Sequence, residues 1–239
     1  MHLQERGHMP VHVEALHKIP LFALLNSNSL AQVAAVTRAR HYERGDLIVR
    51  EGESGGALHY VYSGLVKVFK LSTGGKEQVL FLAEVGHTFN DVPALDGGPN
   101  PASAAAMEPS IVYAIGPTEL STLIVAQPDV AIAVVRTLAS KLRHLVALVE
   151  DLSLRPVIAR VAKILLDQEV ASQEGRQIYR LTQQEMAALA GTAREVVGRA
   201  LKEVEAAGAI KMCQGRVVVV NRDQLRLFVS SETDSAGRR

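Results

Sequence analysis

Between Pro128 and Pro156 nothing interrupts a helix, and the apolar residues Ala131, Val135, Leu138, Leu142, Leu145, Val149 and Leu152 step alternately by four and three. That spacing is the a/d seam of a coiled coil, held over three heptads and narrower than the stripe of an ordinary core-facing helix. Pro128 suits a first helical turn and Asp129 the positive end of the helix dipole. The pattern predicts a long helix that pairs with a second copy through Val135, Leu138, Leu142, Leu145, Val149 and Leu152, so that the protein is a homodimer. The alternative is a long helix packed on its own domain. Pro156 ends or kinks it, with Ser153-Leu154-Arg155 as the hinge. Three regions follow: residues 1–127, 128–155 and 156–239.

Ahead of the long helix, short apolar runs alternate with glycine turns. Leu47-Ile48-Val49, Leu58 to Tyr62, Leu65 to Phe69, Val79 to Leu82 and Ile111 to Ile115 read as strands of an antiparallel barrel, roll or sandwich. Leu16 to Ala39 reads as a helical lead-in, with Ser29 as N-cap for Leu30 to Thr37. After the long helix, Val157 to Gln168, Thr182 to Leu189 and Ala193 to Ala207 read as helices. Ala209 to Met212 and Arg216 to Val220 form a hairpin about Gln214-Gly215, and Ser230 to Arg239 is a frayed end.

Several function classes drop out on composition. A single cysteine, Cys213, excludes an intrachain disulfide, a cysteine-based zinc site and a four-thiolate iron–sulfur cluster. No apolar run reaches the length of a membrane span, and Met1 to Pro10 lacks the apolar stretch of a signal peptide, so the cytoplasm is the expected address. No nucleophile–base arrangement, phosphate loop or metal-ligand spacing stands out, so no catalytic and no metal-ligating residues are assigned. Net charge is +1 overall, but residues 1–150 carry 12 basic against 14 acidic residues, and residues 151–239 carry 14 against 11. The C-terminal part is thus the one suited to a polyanion.

Within that part, Thr182 and Glu185 have the spacing of a capping box. Small Ala187, then Gly191 four residues on, then Val197 six beyond that, is the helix-turn-helix pattern. The second helix then offers Arg194, Glu195, Arg199 and Lys202 on its outer side. Arginine can donate two hydrogen bonds to guanine O6 and N7, and glutamate can accept from the cytosine amino group. Arg194, Glu195 and Arg199 are therefore the expected base readers in double-stranded DNA. Thr182, Gln183, Gln184, Thr192 and Lys202 are the expected phosphate contacts.

Arg194-Glu195-Val196-Val197-Gly198-Arg199, after Leu181-Thr182-Gln183-Gln184-Glu185, resembles the recognition segment of the cyclic-AMP receptor/fumarate–nitrate regulator (CRP/FNR) family. Ile19-Pro20-Leu21-Phe22 and Tyr42 to Gly52 share the likeness, which covers nearly the whole chain. It implies an α+β fold: an N-terminal antiparallel β-roll like the cyclic-nucleotide-binding domain, a dimerisation helix and a C-terminal winged helix-turn-helix. It further implies a transcription regulator that reads a palindrome with TGTGA-like half-sites and meets RNA polymerase.

The resemblance also locates an effector pocket at Phe89, Asn90, Asp91, Pro101, Ala102, Leu145 and Val146, where the chain departs from the family. Asn90-Asp91 replaces Gly-Glu, Pro101-Ala102 replaces Arg-Ser and Leu145-Val146 replaces the hydroxyl pair that meets adenine. Those exchanges leave no cation for a cyclic phosphate, whose unpaired burial is costly. Cyclic AMP is therefore not the expected effector, whose identity stays open. A haem-based gas sensor of the same family is the alternative. The positions matching its haem ligand hold Asn90 and Val92, which leaves His87, His59, His144, His2, His8, His12 and His17 as candidates. A regulatory module of an enzyme is the rival from another class.

Overall fold

The computed structural model describes residues 11, 13–17, 19–23, 25–173, 179–213 and 216–230. The chain divides into two compact units, Met1–Lys70 with Val79–His144 and Leu71–Gln78 with Leu145–Arg239. Helix α5 (Pro128–Leu154) runs through both.

The first unit opens with α1 (Val13–His17) and α2 (Ser27–Val36), followed by β1 (Arg38–Tyr42), β2 (Leu47–Val49), β3 (Leu58–Ser63), β4 (Val66–Leu71), β5 (Glu77–Ala83) and β6 (Thr88–Phe89). Helix α3 (Asp91–Asp96), β7 (Ser103–Ala106), β8 (Ser110–Ile115) and α4 (Pro117–Ala126) complete it. The strands form two four-stranded sheets, ordered β1-β8-β3-β6 and β2-β7-β4-β5. Their inner faces enclose Val49, Val61, Val66, Val68, Phe89 and Val112. The other face of the first sheet, carrying Ala39, Leu58, Tyr60, Tyr113 and Ile115, is covered by Phe22, Val33, Leu120 and Val130 from the surrounding helices and turns. Gly64 joins β3 to β4 with φ +89°, and a side chain there would run into Ser110 and the Pro109 carbonyl.

Parts of this roll differ from the sequence expectation. The lead-in is two helices and the first strand rather than one helical stretch. Asn26, not Ser29, caps α2: its Oδ1 accepts from the Ser29 amide at 2.9 Å. Ser29 lies inside the first turn, buried, where its hydroxyl accepts from Gln127 Nε2 at 3.0 Å. Strand β1 was hidden because Arg38-Ala39-Arg40-His41 offers a single apolar residue to the covering helices. Strand β7 is Ser-Ala-Ala-Ala, a poor strand former by propensity. It is a strand because β2 and β4 pair with it on both sides.

In the second unit α6 (Val157–Gln173) extends past the expected Gln168, and α7 (Gln183–Ala190) and α8 (Arg194–Ala206) follow. A hairpin of β9 (Ile210–Cys213) and β10 (Arg216–Val219) comes next, then α9 (Arg222–Ser230), which was not anticipated. Leu225 of α9 is fully buried beside Val161, Leu165, Val197 and Ile210. The expected turn at Gln214-Gly215 and all but Ser230 of the expected frayed end lie outside the described residues, and Ser230 closes α9. Among the described residues no single helix is long and apolar enough to cross a membrane.

The expected hinge at Ser153-Leu154-Arg155 is a cross-linked break between α5 and α6. Asp151 pairs with Arg155 at 3.0 Å and with Lys163 at 2.5 Å. The Arg160 guanidinium donates to the carbonyls of Arg155 (2.6 Å), Ala190 (2.7 Å) and Asp151 (3.3 Å). Arg160→Met strips the partners from these helix-end carbonyls and should lower stability by about 1–3 kcal/mol in urea unfolding. An unchanged midpoint would mean that water serves these carbonyls as well as Arg160 does.

Candidate nucleic-acid interface and sensor site

Helix α7 starts at a complete capping box. Thr182 Oγ1 accepts from the Glu185 amide at 3.2 Å, and the Glu185 carboxylate accepts from the Thr182 amide at 2.7 Å. The same hydroxyl donates to Glu185 Oε2 at 2.8 Å, so Thr182 is already engaged in the cap. Tyr179, outside the sequence assignment, donates to Glu185 Oε1 at 2.8 Å and steadies the same carboxylate. The helix ends at Gly191, whose φ of +65° is the left-handed geometry that reverses the chain within a short turn. The Thr192 amide donates back to Ala187 O at 3.0 Å. Ala187 and Val197 are buried where the two helices meet, with Met186, Ala200 and Leu201 around them.

That packing turns one face of α8 outward. Arg194, Glu195, Arg199 and Lys202 are exposed, and none is tied into an ion pair among the described residues. Gln183 is half-buried, Gln184 exposed and Thr192 half-buried at the inter-helix turn. The hairpin stands beside the end of α8, where the Met212 amide donates to Glu205 Oε1 at 2.7 Å. It exposes Lys211 and Arg216, two cations that the sequence reading passed over. Their signal was position: both lie on the wing that follows a recognition helix.

In the roll, Phe89, Asn90 and Asp91 form the turn from β6 into α3. Phe89 is fully buried and stacks on His59 with ring centroids 5.0 Å apart. Asn90 is left-handed (φ 59°) and donates through Nδ2 to Ala57 O at 3.1 Å. Asp91 is buried and accepts from Thr88 Oγ1 at 2.6 Å and from Lys141 Nζ of α5. Lys141 also donates to the Thr88 carbonyl at 2.7 Å, and burial pulls its ammonium pKa below the usual lysine value against the attraction of Asp91. Lys141 lies off the heptad seam and was therefore passed over. Pro101 is exposed and Ala102 buried. The Pro101 carbonyl accepts from Lys70 Nζ at 3.1 Å, so a cation does reach this point, already paired with Glu51 at 2.5 Å. Leu145 and Val146 are exposed on the part of α5 that belongs to the second unit.

Of the histidines, His144 Nε2 lies 3.0 Å from Leu80 O, His87 Nδ1 accepts from the Glu84 amide at 3.2 Å, and His17 ends α1. His2, His8 and His12 lie outside the described residues.

Along α5 the seam residues Val135, Leu142, Leu145 and Val149 are exposed, Val135 at 64% and Leu142 at 63%. Leu138 and Leu152 are half-covered, Leu138 facing Leu58, Leu95 and Leu120 of its own roll.

Comparison with known proteins places two family models on the chain. Residues 39–127 match the cyclic nucleotide-binding domain and residues 159–228 the Crp-like helix-turn-helix domain. A protein described as the cyclic AMP receptor protein of Thermus thermophilus is 33% identical over 200 residues, covering 84% of this chain and 92% of its own. A CRP-like cAMP-activated global transcriptional regulator of Mycobacterium tuberculosis is 29% identical over 213 residues, covering 87% and 95%. The crystal structure of a putative crp/fnr-family regulator from Eubacterium rectale superposes with a TM-score of 0.73 at 21% identity, over 90% of this chain and 100% of that one.

Burial pushes the His59 imidazole from 6.5 down to about 4, so the folded protein holds it neutral at neutral pH. Between those values the unfolded chain binds a proton that the folded one does not, so stability falls as pH drops from 6.5 toward 4. The full loss is roughly 3 kcal/mol. Urea unfolding of the parent against His59→Phe across that range should show the steeper pH dependence in the parent, and equal slopes would acquit His59.

Proposed function

Because the chain belongs to the CRP/FNR family of DNA-binding transcription regulators, we propose that it works in the cytoplasm as a homodimer reading a palindrome with TGTGA-like half-sites. The observation that carries this reading is the uncommitted outer face of α8, held at a fixed angle by the left-handed Gly191 turn and the Thr182–Glu185 box. Arg194 and Arg199 read guanines, Glu195 reads a cytosine, and Gln183, Gln184, Thr192 and Lys202 hold phosphates. Thr182 contributes by fixing the N-terminal end of α7, since the cap takes both its amide and its hydroxyl. Lys211 and Arg216 of the wing add phosphate contacts. Residues 1–127 serve as sensor, 128–155 as dimerisation helix and 156–239 as reader, with RNA polymerase as the downstream partner that family membership implies.

The homodimer is supported by the apolar stripe Val135, Leu142, Leu145 and Val149, which α5 leaves in water in the single chain. Two relatives carry cyclic AMP in their names, but this chain has reasons to differ. Its Asp91 is already neutralised by Lys141, Lys70 by Glu51, and Pro101 carries no charge. The effector, where one acts, is therefore something other than a cyclic nucleotide.

Arg199→Ala tests the reader. Gel-shift titrations should show a loss of roughly 1–3 kcal/mol on the palindrome, with relaxed discrimination at one G·C pair. Equal losses on palindrome and random DNA would reduce Arg199 to a phosphate contact. Leu142→Glu tests the seam by setting like charges face to face on two chains. Sedimentation should then report monomers and palindrome binding should fail; an intact dimer would overturn the seam.

A further inference from the structure

Strand β1 places Arg38 opposite Ala114 and Arg40 opposite Val112, while β8 in turn places Ala114 opposite His59 and Val112 opposite Val61. Residues opposite one another share a face of a sheet. Arg38, Arg40 and His59 therefore lie on the same face as Val61 and Val112, which belong to the cluster between the two sheets. An inner face that carries His59 among apolar residues ends in two guanidiniums, exposed at the mouth of a cavity of about 700 Å³. Neither guanidinium is engaged in an ion pair among the described residues. Of the residues expected to hold the effector, Asn90 alone lines this cavity.

Its wall also holds polar atoms that the protein leaves unmatched. Asn100 is 7% exposed, and all but one of its polar groups are committed. Its amide donates to Glu53 O at 2.8 Å, its carbonyl accepts from the Gly52 amide at 2.9 Å, and Nδ2 donates to Arg50 O at 2.9 Å. Those bonds fix which way the side-chain amide points, and they leave Oδ1 buried without a hydrogen-bond partner among the described residues. Among the same residues Nδ1 of His59 is likewise buried without one. The neutral imidazole accepts at Nδ1 when its proton sits on Nε2. Of the two acids at the rim, Glu53 pairs with Arg50 at 3.4 Å and Glu119 turns its carboxylate back over Gly116.

Two arginines two residues apart on one strand face, with backbone positions roughly 7 Å apart, can bring both guanidiniums to a dianion, which they match better than a single carboxylate. A phosphate monoester carries about −1.5 to −2 charges at neutral pH. The unmatched acceptors call for O–H donors on the same molecule, and the volume suits a ligand of that size. We propose that this end of the roll binds a sugar phosphate, with the phosphate between Arg38 and Arg40 and the hydroxyls donating toward Asn100 and His59.

Isothermal calorimetry on the full-length protein with ribose 5-phosphate, ribose and inorganic phosphate tests this. Ribose 5-phosphate should saturate one site per chain. Inorganic phosphate should bind at least tenfold more weakly, and ribose should give no saturable heat. The Arg38→Gln/Arg40→Gln double variant replaces exposed side chains, and thermal melting without ligand verifies that it folds. It should lose at least tenfold in affinity for ribose 5-phosphate. No saturable heat with ribose 5-phosphate at millimolar concentration would overturn the proposal. So would equal affinity for inorganic phosphate, which marks an adventitious ion only, or full affinity in the double variant. The titration uses no DNA, so its failure leaves the reading of α8 untouched.

Discussion

Helix α5 cannot be stable as a lone rod. It is 27 residues long, yet the one side chain it buries within the chain is Val130. Isolated helices in water are marginal even with favourable sequences, and most draw their stability from packing an apolar face. Its first turns have such packing, through Ala133 and Val134 against the roll. Farther along, Lys141 does the anchoring by ionic means, reaching Thr88 and Asp91. Between Lys141 and the ion-paired Asp151 lie the exposed Leu142, Leu145, Val146 and Val149. A second copy of the same helix is the partner whose periodicity matches, and the proposed homodimer rests on that match.

Ionic anchoring also ties the turn before α3 into the roll's own structure. Asp91 is committed inside the protein: a carboxylate held by a buried ammonium and a threonine hydroxyl has little capacity left for a ligand. Breaking such a pair by removing one member strands the other charge, so the arrangement resists gradual loss. The tether joins the turn before α3 directly to α5, and no bound molecule is needed to make that connection.

How much of this was legible in the sequence depended on whether local rules and tertiary demands agreed. The helix-turn-helix was readable to its residues because Thr182, Glu185, Ala187, Gly191 and Val197 each obey a local rule, and the fold uses each accordingly. The heptad was readable as a helix for the same reason. The first strand was not, because its arginines point where alternation leads one to expect apolar residues. Helices α3 and α4 are short and sit among glycines and prolines that read as turns. Lys141 and Arg160 were invisible as anchors, since a cation on a helix looks solvated until the carbonyls and carboxylates around it are placed.

Strand β7 bears on how such a roll can evolve. All four of its residues are buried and none carries more than one heavy atom beyond Cβ. Neighbouring strands thus close around a waist that has no rotamers to rearrange and no methylene to trim. Enlargement at Ala104 or Ala105 would have to be absorbed by moving backbone, the stiffest part of a sheet. Substitutions are accordingly far better accommodated at the ends of the roll, where arginines, asparagines and glycines stand at its rim, than in this alanine middle.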